Sequence, residues 1–311
     1  MKFPVLILAL LASLPSFALA APAGEAPKKV LVVSVTTGFR HSSIPVAEKV
    51  LAQLAAESGR FSVDFVRQPE GMTGAPGRPR PGPKGESDPG HQAALRKFEA
   101  DQKAYTEVWL PKAAAELGRL SPAKLAAYDA VLFLSTTGDL PLPDKQGFLD
   151  WIAAGKAFVG VHAATDTFHG FPPFIAMIGG EFKTHGPQVA VDCLNQDPAH
   201  AACRPLPKEW SVFDEIYQFK NFERSKVHGL LTLDRHPNDK TPGDYPVAWS
   251  KPFGRGRVFY TSLGHREDMW DPAFTDKAGR KNPAENARLF QQHLLGGILW
   301  ALGLAPGSAQ P

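Results

Sequence analysis

The sequence predicts an α/β protein in which a parallel sheet is sandwiched between helices. Segments rich in apolar, often β-branched residues alternate with segments of helical period, and the connections between most of them are short. The strand segments are also apolar throughout, which marks strands buried on both faces. Strand, helix, strand order with short links implies parallel crossovers. A length of 311 residues allows one domain or two, and one is expected, over residues 29–304.

Residues 1–20 (MKFPVLILALLASLPSFALA) carry one charge at Lys2, an apolar run, and small residues ending at Ala18, Leu19 and Ala20. That is the pattern of a secretory signal peptide cleaved after Ala20. Pro4, Ser13, Pro15 and Ser16 interrupt it well short of the roughly 20 apolar residues a membrane span requires. The expected location is therefore periplasmic or secreted, with no membrane span after cleavage. Export would place Cys193 and Cys203 in an oxidising compartment, where a disulfide is the expected state; two buried thiols are the alternative.

KVLVVSV (29–35) reads as the first strand, residues 43–58 as a helix and residues 61–66 as the second strand. Residues 68–92 hold six Gly and six Pro, which suit neither a helix interior nor a sheet ladder, so a loop is expected there. Its Arg78, Arg80 and Lys84 read as a solvated face or a basic contact patch. A helix carrying Leu95, Phe98, Tyr105 and Trp109 follows and is expected to break near Pro111, completing an insertion over 68–117. Ser121 and Pro122 start a short helix. AVLFLS (130–135) is a strand, residues 143–154 a helix, and AFVGVH (157–162) the next strand. Later strands are expected at 188–193, 230–233, 246–250 and 257–262, the last two forming a C-terminal β-hairpin. A helix over 283–302 closes the chain.

The formal charge of +3 is too small a surplus to suggest a nucleic-acid partner. The polar rarities stand where strands end, which in open α/β sheets is where ligands bind. His41 follows the first strand, in GFRHSS (38–43), just before a helix. His162 follows the central strand at a strand-to-helix elbow. Glu181 and His185 stand in GGEFKTH (179–185), Glu215 in DEIY (214–217), and His265 in SLGHRE (262–267).

The set GFRHSSI (38–44), YDAVLFLSTTGD (128–139), GVHAATDTF (160–168), GGEFKTHGP (179–187), DEIYQF (214–219), YPVAWS (245–250) and GRVFYTSLGH (256–265) resembles the ThuA-like family, named for a trehalose-utilisation protein. The resemblance implies a flavodoxin-like fold similar to the class I glutamine amidotransferases. That superfamily carries a Cys nucleophile at the elbow; here His162 stands there, so a Cys-dependent amidotransferase is not expected. What the resemblance implies instead is an exported protein of carbohydrate catabolism. It would be an enzyme acting on a small sugar or keto-sugar by hydrolysis, elimination or isomerisation, or else a non-catalytic periplasmic sugar-binding module serving a sugar oxidoreductase.

Carried over by position, the family's polar signature falls on His41, His162, Asp166, His185, Glu215 and His265. His162, Asp166, His185 and Glu215 are the expected catalytic groups, and Arg40, His41, Tyr217 and His265 the expected substrate contacts. Two chemistries fit this set: proton shuttling without a metal, or a divalent ion such as zinc held by His41, His162, His185 and His265. No nucleotide cofactor is expected. Arg40 is the candidate clamp on a substrate oxygen. Phe39, Phe168, Tyr217 and Trp270 are candidate ring faces for a sugar, with core packing the alternative for each.

Overall fold

The computed structural model describes residues 26–83, 85–277 and 279–311. The signal-peptide segment and Lys84 lie outside them. A nine-stranded sheet in the order β2-β1-β3-β4-β11-β10-β9-β6-β7 runs through the molecule. Its first half comprises β1 (Lys28–Val33), β2 (Phe61–Val66), β3 (Ala130–Leu134), β4 (Ala157–Val161) and β11 (Gly256–Thr261), all parallel. Every residue of β3 and β4 is buried, as the unbroken apolar runs predict.

Helices cover both faces. On one lie α1 (Ile44–Ser58), the short α7 (Glu267–Trp270) and α8 (Ala284–Ala301), sharing a core with Val30, Val32, Leu132 and Val159. On the other lie α5 (Lys145–Ala153) and α6 (Pro172–Ile178), which enclose Phe133, Phe158 and Tyr260 with Phe148 and Phe174. The helix α8 sits close to the sheet because Gly297 presents no side chain: a Cβ there would overlap the Phe259 ring.

The second half of the sheet is antiparallel. β10 (Pro242–Phe253) pairs with β11 as the expected hairpin and continues into β9 (His228–Arg235), β6 (Val189–Asn195) and β7 (Glu209–Asp214). A separate ribbon joins β5 (Glu181–His185) to β8 (Tyr217–Lys220), with His185 opposite Tyr217 and Glu181 opposite Lys220.

Two expectations are corrected. The inserted helix does not break at Pro111: α2 (Pro89–Ala104) passes through a π-helical turn (Tyr105–Trp109) into α3 (Leu110–Leu117), which leaves Pro111 in a first turn, where its missing N–H does no harm. A four-residue helix α4 (Pro122–Leu125) then leads into β3. The cysteines form no disulfide. Both are buried thiols: Cys193 lies inside β6, and Cys203 hydrogen-bonds the Leu230 carbonyl at 3.5 Å. Burial in the apolar core pushes both well above the ordinary thiol range, Cys203 to about 12.

Candidate metal centre

Because β1, β4 and β11 run parallel, the loops after them open at one edge of the sheet and deliver His41, His162 and His265 together. Glu215 arrives from the antiparallel half. The Asp214 carboxylate beside it accepts the Gly264 N–H at 2.8 Å, tying the end of β7 to the loop that carries His265.

His162 adopts φ +48°, a left-handed conformation a non-glycine residue holds only when its surroundings impose it. Two hydrogen bonds impose it. The Tyr260 hydroxyl donates to the His162 carbonyl at 2.7 Å, and His162 Nδ1–H donates to the Ser262 carbonyl at 2.7 Å. A carbonyl can only accept, so Nδ1 carries the proton and Nε2 presents a lone pair.

Around that lone pair the other donors gather. His162 Nε2 lies 3.1 Å from His41 Nε2, 3.3 Å from His265 Nδ1 and 3.7 Å from Glu215 Oε2, while His265 Nδ1 lies 3.2 Å from Glu215 Oε2. All four donor atoms fall within 4.8 Å of one another. Adjacent ligands at zinc bond lengths of about 2.0–2.1 Å stand about 2.8–3.0 Å apart in an octahedron and about 3.3–3.4 Å apart in a tetrahedron, and the three shortest separations fall across that span, so the donor set suits a first-row divalent ion.

An ion needs neutral imidazoles and an ionised carboxylate, and His41, His162 and Glu215 meet that need, whereas His265 holds its proton more firmly until an ion displaces it. Burial, helped by the neighbouring His265, brings His41 down to about 4, and burial with His41 beside it holds His162 well below the usual range. Although burial pulls the other way, the hydrogen bond to Glu215 raises His265, and the same bond holds Glu215 below the usual carboxylate range. His41 Nδ1 and Ser262 Oγ are buried without a hydrogen-bond partner among the described residues.

His185 is not in the four-donor group, and Glu215 takes the place expected for it. His185 Nδ1 instead meets the other carboxylate oxygen, Glu215 Oε1, at 3.0 Å from a half-exposed position. Tyr217 forms a wall, its ring 4.5 Å from that of His162 and 4.3 Å from that of Phe182. Burial and the Glu215 charge hold its hydroxyl far above the usual range, so it keeps its proton.

Asp166 lies outside the four-donor group. It accepts from His169 Nε2 at 2.6 Å, and His169 Nδ1 donates to the buried Glu181 at 2.6 Å. Glu181 also accepts from Asn221 at 2.6 Å and pairs with Lys220 at 3.0 Å. His169, Glu181, Asn221, Lys226 and Lys251 line a cavity of about 460 Å³. Sequence reasoning missed His169, although its spacing of three from Asp166 across a turn is the signal that would have found it.

Arg40, the expected clamp, braces the end of β1: its Nη1 donates to the Ser34 carbonyl at 2.7 Å and to Gln68 Oε1 at 3.1 Å. Phe168 and Trp270 are fully buried and belong to the core. Phe39 is 68% exposed, with its ring edge-on to that of His41 at 4.9 Å.

The structure resembles a ThuA-like protein from Parabacteroides merdae, with 21% identity, TM-score 0.57, and coverage of 91% of this chain and 93% of that one. It also resembles one from Bacteroides uniformis, with 17% identity, TM-score 0.56, and coverage of 93% and 97%. The chain belongs to the ThuA family, described as trehalose utilisation, whose model matches residues 83–301. His41 precedes the matched stretch. Comparison with curated proteins found no match. Among the described residues no helix is long and apolar enough to cross a membrane.

Proposed function

We propose that this protein is an exported enzyme of carbohydrate catabolism that acts on a sugar or keto-glycoside at a divalent metal held by His41, His162, His265 and Glu215. The observation that carries the reading is the convergence of three imidazole nitrogens and one carboxylate oxygen within 4.8 Å at the carboxyl edge of the sheet. A divalent ion bound there supplies Lewis acidity toward a carbonyl or hydroxyl oxygen.

The chain's own groups divide the remaining work. Nδ1–H of His162, anchored on the Ser262 carbonyl, fixes that ring's orientation. His185 shares Glu215 with the cluster yet is half exposed, so it is the imidazole placed to exchange a proton between substrate and solvent. Tyr217 packs its ring against that of His162, 4.5 Å away and tilted by 38°, and shields it from water. Hydrolysis, elimination and isomerisation of a keto-glycoside all require such a proton transfer next to a polarised oxygen. The elbow position carries an imidazole and both cysteines are buried elsewhere, which removes the thiol route of the amidotransferases.

The test is to incubate the mature protein with 3-keto and unmodified disaccharides, with and without chelator, and to follow the products. Turnover abolished by chelator and restored by metal supports the reading, as does loss of turnover in His185→Ala at unchanged metal content. Sugar binding with no turnover of any of these compounds would favour the accessory binding module instead.

A further inference from the structure

Single exposed apolar side chains are ordinary on protein surfaces. Phe39 differs in where it stands and in how firmly its backbone is held. It is one of two large hydrophobic residues exposed among the described ones, and it adjoins the buried His41.

The loop that carries it is pinned from two sides. From β3's end, the Thr137 carbonyl accepts the Thr37 N–H at 2.9 Å, and the Thr137 hydroxyl donates to the Phe39 carbonyl at 2.8 Å. From the insertion, the Ala75 N–H at 3.0 Å and the Tyr105 hydroxyl at 3.1 Å both donate to the Thr37 carbonyl. Gln68 Oε1 accepts from the Thr36 N–H at 2.9 Å and from Arg40 at 3.1 Å, joining the two flanks of the same loop. Gly74 lies directly on the Gly38 backbone, and a Cβ at Gly74 would overlap the Gly38 carbonyl oxygen. A loop held at both flanks and at its centre, yet presenting an aromatic ring to water, has its conformation set before any ligand arrives. That arrangement lowers the ordering cost of binding.

We propose that Phe39 is the sugar-stacking platform of the metal centre, and that the insertion braces it there. One C–H face of a pyranose ring lies against the exposed phenyl ring while the sugar's oxygens point toward the centre beside His41. The inference rests on the carbohydrate reading above and adds to it the ring-face packing that discriminates cyclic sugars from open-chain polyols. It also assigns a role to residues 68–75 and Tyr105, which contribute no donor to the four-donor group.

The test titrates the full metal-loaded chain, by calorimetry, with trehalose, its 3-keto derivative and sorbitol, a polyol with no ring face. Wild type is compared with Phe39→Ala and Phe39→Trp. Phe39→Ala is expected to weaken the disaccharides by roughly five- to tenfold, because it removes the apolar face they cover, and to leave sorbitol, metal content and Tm unchanged. Phe39→Trp should stay within about twofold of wild type because it keeps a stacking face. Equal disaccharide affinity in wild type and Phe39→Ala would overturn the platform while leaving the carbohydrate reading in place. Failure of wild type to bind either disaccharide at millimolar concentration would overturn both.

Discussion

His41 and His162 point their Nε2 atoms at each other across 3.1 Å, and both rings are buried where a proton is disfavoured. In His162 the other nitrogen is committed to the Ser262 carbonyl, so the approach is lone pair toward its neighbour's nitrogen. Under the proposed metal reading a cation would sit between these rings, with Glu215 supplying the negative charge beside it.

Glu215→Gln keeps the shape of the side chain and removes its charge. Metal affinity should fall by at least tenfold, and the thermal stabilisation gained on metal addition should shrink accordingly. A chelator-sensitive Tm in wild type and a much smaller shift in the variant would bear this out. Identical shifts would remove Glu215 from the centre.

His293 gives the protein an acid sensitivity of its own. It is fully buried, its Nδ1 donates to the Ala202 carbonyl at 2.8 Å, and burial lowers it to about 4. Unfolded, the ring titrates near 6.5, so as pH falls from about 6.5 toward 4 the unfolded chain takes up a proton that the native state refuses. Stability is then reduced by up to roughly 3 kcal/mol from this group. In His293→Gln the loss of stability between pH 6.5 and 4.5 should be visibly shallower than in wild type.

His169 works in the opposite direction. Burial opposes its charge, but hydrogen bonds to Asp166 and Glu181 raise it above its usual value. Its stabilisation is therefore full below the unfolded value and fades as pH rises through the native one. The Tm difference between wild type and His169→Gln should be larger at pH 6 than at pH 9. A difference independent of pH would show that the charged pair contributes nothing.

Cys193 and Cys203 are both enclosed in the core as free thiols. A thiol reagent should find about two reactive groups per chain after denaturation and almost none before it, and reductant should leave Tm unchanged. Recovery of a bridged peptide from unreduced protein would contradict the arrangement.

The parts of the fold legible in the sequence are those whose signal is local. β3 and β4 are buried on both faces and read as unbroken apolar runs. β5 and β7 escape such a reading because β5 buries only its first residue and β7 alternates with exposed positions, so each depends on a distant partner strand for its pairing. Pro111 reads as a helix end because a sequence does not reveal the π-helical turn that places it at a new start. Within the site, His41, His162 and His265 are legible because each follows an apolar strand. Exchanging His185 for Glu215 among the donors requires knowing that Asp214 is tied to Gly264, a hydrogen bond between residues 50 apart in sequence.

The most direct test of the metal centre is elemental analysis of the purified, unchelated protein beside a His162→Ala, Glu215→Ala double variant. About one equivalent of a first-row divalent metal is expected per wild-type chain, and a substoichiometric trace in the variant. A wild-type protein that holds no metal, and gains no thermal stability when zinc, manganese, iron, cobalt, nickel or copper ions are added, would contradict a metal centre at His41, His162, His265 and Glu215.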